Sequence, residues 1–103
     1  MHLDQLIFWV YIYFMLTWSE VKRRANIAKH GFGFVGADEI FAGYTITRED
    51  RDSRGELRLQ TLGLWNGVVV FVVHAPRGDA DRIISIRKAE KHEARIYWEN
   101  VPH

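Results

Sequence analysis

The chain reads as an α+β domain: an N-terminal strand, two helices, an antiparallel sheet of about four strands and a C-terminal helix, with the helices on one side. Three observations carry this expectation. A helical period starts at Ser19, two-residue alternation starts at Glu56, and a second helical segment, AEKHEARIYWE, closes the chain. At 103 residues and 12.1 kDa the chain is close to the commonest size of one domain. Hydrophobic residues make up 48% of it and aromatics 14%, enough for a real core and against disorder throughout.

The run Leu6 to Trp18, LIFWVYIYFMLTW, carries no charge. It is shorter than the roughly twenty residues a membrane span needs. Asp4 precedes it, and Ser19, Glu20 and Lys22 follow, which is unlike a secretory signal, so neither membrane nor export is expected. Its aromatic and β-branched content suits a first strand or an apolar arm packed on a partner. Met15 offers a second reading, in which translation starts there, residues 1–14 are upstream sequence and residues 15–103 form the single domain.

From Ser19 the pattern SEVKRRANIAKHG predicts an amphipathic helix with Ser19 as cap, Val21, Ala25 and Ala28 on its apolar face, and Gly31 as the stop. A short second helix is expected over Val35 to Phe41, packing Ala37, Ile40 and Phe41 beside Phe34. YTITR then reads as a strand and EDRDSRG as a charged loop. Between Glu56 and Thr61 the alternation puts Leu57, Leu59 and Thr61 on a buried face and Glu56, Arg58 and Gln60 on a polar one. Asn66-Gly67 signals a hairpin into VVVFVVH, whose unbroken apolar character is that of a central strand covered on both faces. Pro76 to Asp81 is the next turn, and RIISIRK the last strand.

Absences and imbalances narrow the chemistry. Without cysteine there is no disulfide, thiolate zinc site, iron–sulfur cluster or cysteine nucleophile. The histidines lack metal-ligand spacing, and Asp50, Asp52 and Glu56 are interleaved with Arg48, Arg51 and Arg54 as in a solvated loop; neither metal nor cofactor is expected. Gly31, Gly33 and Gly36 spell a dinucleotide fingerprint but follow a helix instead of a strand, so Gly31 is better read as a helix stop. The net charge is only +1, yet ten of the fourteen basic residues are arginine, the side chain suited to gripping phosphate or carboxylate with two parallel bonds.

Arg58, Arg77, Arg82 and Arg87 can converge on one sheet surface and stabilise the added charge of a pentacoordinate phosphorus. Alternation predicts that Arg82 and Arg87 point to opposite faces, so that one of them serves structure. The competing reading pairs these arginines with Glu56, Asp79 and Asp81. His30, beside Lys29 on the last helical turn, is either a cap or an acid or phosphate contact. Of Tyr97 and Trp98, one can stack a base and the other belongs to the core.

Asn26-Ile27-x-Lys29-His30-Gly31, Gly55-Glu56-x-Arg58 and Arg82-Ile-Ile-Ser85-x-Arg87-Lys88-Ala89 stand in the order and spacing of the BrnT toxins, and the chain resembles that family from Trp18 to Tyr97. The resemblance implies a RelE-like fold, a metal-independent ribonuclease that arrests growth, and a cytoplasmic location. It further implies a BrnA-like ribbon-helix-helix antitoxin, with operator DNA reached only through the toxin–antitoxin complex. Catalysis then falls to His30, Glu56, Arg58, Arg77 and Arg87, with Lys29, Arg82, Lys88 and Tyr97 binding RNA. Departures from the family pattern are Ser19 for an acidic residue, Ile86 for an alanine, and His74-Ala75-Pro76 where a tyrosine or threonine is usual. Two other classes remain open: a noncatalytic RNA- or ribosome-binding module, and a protein-interaction domain.

Overall fold

The computed structural model describes residues 16–50 and 55–102. The reading of residues 1–14, most of the leading apolar run, and Arg51, Asp52 and Arg54 lie outside them. Strand β1 (Leu16–Trp18) leads into helix α1 (Glu20–His30) and the short α2 (Asp38–Ala42). Strands β2 (Thr45–Glu49), β3 (Leu59–Trp65), β4 (Val68–Arg77) and β5 (Ala80–Lys88) follow, and α3 (Lys91–Asn100) closes the described chain.

The sheet has five strands in the order β1-β5-β4-β3-β2, one more than the expected four. Strands β2 to β5 form the antiparallel meander, and β1 joins in parallel along Asp81–Ile83. The central position belongs to β4, as its apolar run predicts.

The expectation of helices on one side is corrected. Val70 and Val72 pack with Phe34, Ala37, Ile40, Ile83 and Ile86 under α2 and the segment that leads into it. Val69 and Phe71 pack with Leu62 and Tyr97 under α3. A strand with no polar face leaves apolar surface on both sides of the sheet, and both must be covered.

Ser19 caps α1 through Lys22 N–H (3.4 Å), and Gly31 ends it at φ 80°, donating to the Ile27 carbonyl (2.9 Å). Its apolar face is not the expected one, since Val21, Ala25 and Ala28 are exposed. The helix docks through Asn26, its one buried residue. Asn26 Nδ2 donates to the carbonyls of Phe32 (2.8 Å) and Ile86 (2.7 Å), and Ile86 N–H donates to Asn26 Oδ1 (3.1 Å). Pairing ends on β1 at Trp18, so the β5 edge further on presents backbone groups that a polar side chain satisfies and an alanine cannot. Helix α2 is shorter than expected, but Phe34, Ala37 and Ile40 are buried as predicted.

The Asn66-Gly67 hairpin forms with φ of 50° and 80°. Strand β3 starts at Leu59, leaving Leu57 half exposed before the ladder, although Thr61 is fully buried as expected. The β4–β5 turn is tighter than expected, with Arg77 opposite Ala80 and only Gly78 and Asp79 between them.

One irregularity changes a face assignment. Val73 pairs with Ser85 and His74 with Ile83, so Ile84 is an extra residue on β5. The bulge reverses the alternation, and Arg82 (opposite Ala75) and Arg87 (opposite Phe71) share one face instead of pointing apart.

Candidate functional site

The β4–β5 hairpin carries Arg77 and Arg82 to one end of the sheet, and the segment entering β3 brings Glu56 and Arg58. Arg77 Nη2 donates to Glu56 Oε2 (3.0 Å), and Arg82 Nη2 lies 3.7 Å from Glu56 Oε1. The Arg77 hydrogen bond holds the Glu56 carboxyl below its ordinary range against partial desolvation, and the charges of Arg77, Arg82 and Arg58 act in the same sense. Among the described residues, one carboxylate thus faces three guanidinium groups. Among the described residues, the buried side-chain polar atoms without a hydrogen-bond partner are Glu56 Oε1 and Arg82 Nε, both in this cluster. Because Arg82 shares the sheet face of Phe71, the cluster lies on the side that α3 covers, beyond the Leu62, Val69 and Phe71 contact.

The remaining expected site residues stand elsewhere. Arg87 gives both arms of its fork to Glu93 on α3 (2.8 and 3.0 Å), with its guanidinium 4.0 Å from the Phe71 ring centroid. Burial pushes the Glu93 carboxyl up, but the Arg87 hydrogen bond and the Glu90 backbone outweigh it, and the pKa falls below the ordinary value. Lys88 is exposed opposite Val70, on the other face from Arg87. Lys29 and His30 line an open groove of about 280 Å³ with Lys22, Asn26, Ile84 and Ser85. Tyr97 is a core residue, 2% exposed, and its hydroxyl donates to the Tyr44 carbonyl (3.0 Å). Trp98, edge-on to Tyr97 with ring centroids 5.3 Å apart, is the half-exposed ring of the two.

Sequence reasoning missed a buried polar chain on the opposite face. His74 is 3% exposed; its Nδ1 donates to Asp81 (2.8 Å), and its Nε2 meets Thr61 Oγ1 (2.6 Å), which meets Thr47 Oγ1 (2.8 Å). The signal was a histidine ending an apolar run with an aspartate across the next turn. Asp81 therefore does not pair with the arginines, as the competing reading had it. Among the described residues no three His, Asp or Glu side chains converge on a point where a metal could sit.

An arginine-rich cluster stands at the end of a small α+β sheet, with guanidinium donors of the kind that can hold an anionic group. The family model described as "Ribonuclease toxin, BrnT, of type II toxin-antitoxin system" matches residues 18–93, about three quarters of the chain, and the chain belongs to that family. It is thus a ribonuclease toxin by family, which brings an RNA substrate and an antitoxin partner with it. No curated protein matches the chain. No helix among the described residues is long and apolar enough to cross a membrane.

Proposed function

We propose that the chain is a metal-independent endoribonuclease whose phosphate-binding centre is Arg58, Arg77 and Arg82 arranged around Glu56. The observation that carries this reading is the excess of guanidinium over carboxylate among the described residues of that cluster. In RNA cleavage without metal the ribose 2′-oxygen bonds to the adjacent phosphorus, the bond to the leaving 5′-oxygen breaks, and the product is a 2′,3′-cyclic phosphate. The 2′-hydroxyl gives up its proton and the 5′-oxygen takes one. Between the two events the phosphorane carries extra negative charge, which preorganised guanidinium donors stabilise.

Glu56, held as a carboxylate by its arginines, is a weak base; in this reading it aligns Arg77 and Arg82 for the incoming phosphate. His30 and Lys29 line a separate groove, and in this reading they contact the RNA backbone there while the transferred protons are exchanged with water. Arg87 supports the fold, because Glu93 already fills its fork. Neutralisation falls to a BrnA-like ribbon-helix-helix antitoxin acting in the cytoplasm, which covers the arginine cluster and links the complex to operator DNA.

Purified protein is expected to cut RNA in EDTA and to leave cyclic phosphate ends. Abolition of cutting by EDTA, or full activity in Arg77→Ala and Arg82→Ala, overturns the assignment. Saturating antitoxin is expected to displace a non-cleavable RNA. Unchanged RNA binding would replace occlusion with action at a distance.

A further inference from the structure

We infer that the buried His74–Asp81 pair is a phase lock for β5, a positioning device that keeps Arg82 on the face where Glu56 stands. The argument begins at the bulge. Side chains on a strand alternate, so gaining or losing one residue of register moves every following side chain to the other face. Ile84 is the extra residue, and the register shift falls between Val73 and His74. On the near side Arg87 stands opposite Phe71; beyond the bulge Arg82 stands opposite Ala75. Without the extra residue Arg82 would turn to the face of His74, away from Glu56.

His74 sits at that point, opposite Ile83, and is held from both ends. A carboxylate can only accept, so Nδ1–H donates to Asp81, the residue immediately before Arg82. Asp81 is thereby fixed on the His74 side of the sheet, and its neighbour Arg82 must project to the other. The Nε2 end meets Thr61 on β3, which bonds Thr47 on β2, so the lock is referenced to two further strands. The Phe41 ring stands edge-on to the imidazole at 5.1 Å and closes that side against water. A bulge is a place where a strand can re-register, and a directional hydrogen bond across it selects one register as an apolar contact would not.

The register claim stands on the fold alone; its consequence for phosphate binding rests on the reading given under Proposed function. The test compares the wild type with His74→Leu, Asp81→Ala and Asp81→Asn in the full chain. Cross-strand NOEs report whether residue 74 pairs with Ile83 or Ile84, and the Arg82 Nε–H resonance reports its surroundings, with Arg87 Nε–H as internal control. His74→Leu and Asp81→Ala are expected to give mixed or shifted registers and to move the Arg82 resonance while that of Arg87 stays. Asp81→Asn keeps an acceptor and is expected to retain the wild-type pattern. A non-cleavable 2′-deoxy oligonucleotide should bind about tenfold or more weakly to the two truncating variants, the loss of one charged hydrogen bond.

Retention of the Ile83 pairing and of the Arg82 resonance in both truncating variants overturns the phase lock. If His74→Leu fails to unfold cooperatively, Asp81→Ala decides alone, since the Asp81 side chain is 21% exposed and its removal leaves the buried ring in place. Arg82→Ala in an otherwise wild-type chain separates the two ideas. If it binds the oligonucleotide normally the phosphate-site reading fails, whereas the NOE result still decides the lock.

Discussion

Two arginines on one face of one strand meet different fates. Arg87 and Arg82 lie roughly 13 Å apart along the sheet, their partners on β4 being four positions apart. At the α3 end, Arg87 meets one carboxylate in a two-bond fork and an aromatic ring on its face. At the other end, Arg82 shares Glu56 with Arg77, at 3.7 Å and without a hydrogen bond from its Nε. The difference is one of stoichiometry. An arginine whose fork is filled by one carboxylate is a strut, and one among several around a single acid keeps donors for a ligand.

Removing the side chain at each end should break this contrast most sharply. Arg82→Ala is expected to lower RNA cleavage by ~100-fold or more, as for loss of one transition-state donor, with the melting temperature little changed. Arg87→Ala should do the reverse. It leaves Glu93 without its fork and is expected to cost about 1–3 kcal/mol, read in urea unfolding, while cleavage by the remaining folded protein stays near wild type. Loss of cleavage with unchanged stability in Arg87→Ala would place Arg87 among the phosphate contacts.

Acid sharpens the comparison further. The fold holds the Glu93 pKa below the ordinary carboxylate value, so its contribution is fully present above that ordinary value and is lost as pH falls through the folded pKa. Stability measured below that ordinary value should therefore fall less steeply in Glu93→Gln than in wild type. Glu56 is also lowered, but it sits in solvent-screened surroundings, and Glu56→Gln is expected to change that acid limb much less. The smallest effects lie on α3. Tyr97→Phe removes the bond to Tyr44 and should cost about 1 kcal/mol, whereas Trp98→Ala should stay within about 0.5 kcal/mol by thermal unfolding.

The residues that local rules govern were legible in the sequence. Ser19, Gly31, Asn66-Gly67 and the apolar run of β4 each say what they do within a few positions. What stayed hidden depends on partners far along the chain. Apolar spacing picked Val21, Ala25 and Ala28 for the buried side of α1, but the surface it meets is a strand edge, and Asn26 fits that edge. Alternation separated Arg82 from Arg87 because one extra residue at Ile84 leaves no mark in composition. The site cluster was half visible: Glu56, Arg58, Arg77 and Arg82 were all candidates, yet only the hairpin register shows that they meet and that Arg87 does not join them.

A strand edge is a template for another chain, and β5 has a stretch of it left bare where β1 ends at Trp18. A carboxamide carries a donor and an acceptor in one plane, as a peptide unit does. By giving both to Ile86, Asn26 imitates one residue of a neighbouring strand from the side of a helix. The fold can therefore leave the sheet early and spend the following residues on α1, while a foreign strand reaching that edge finds Ile86 already occupied.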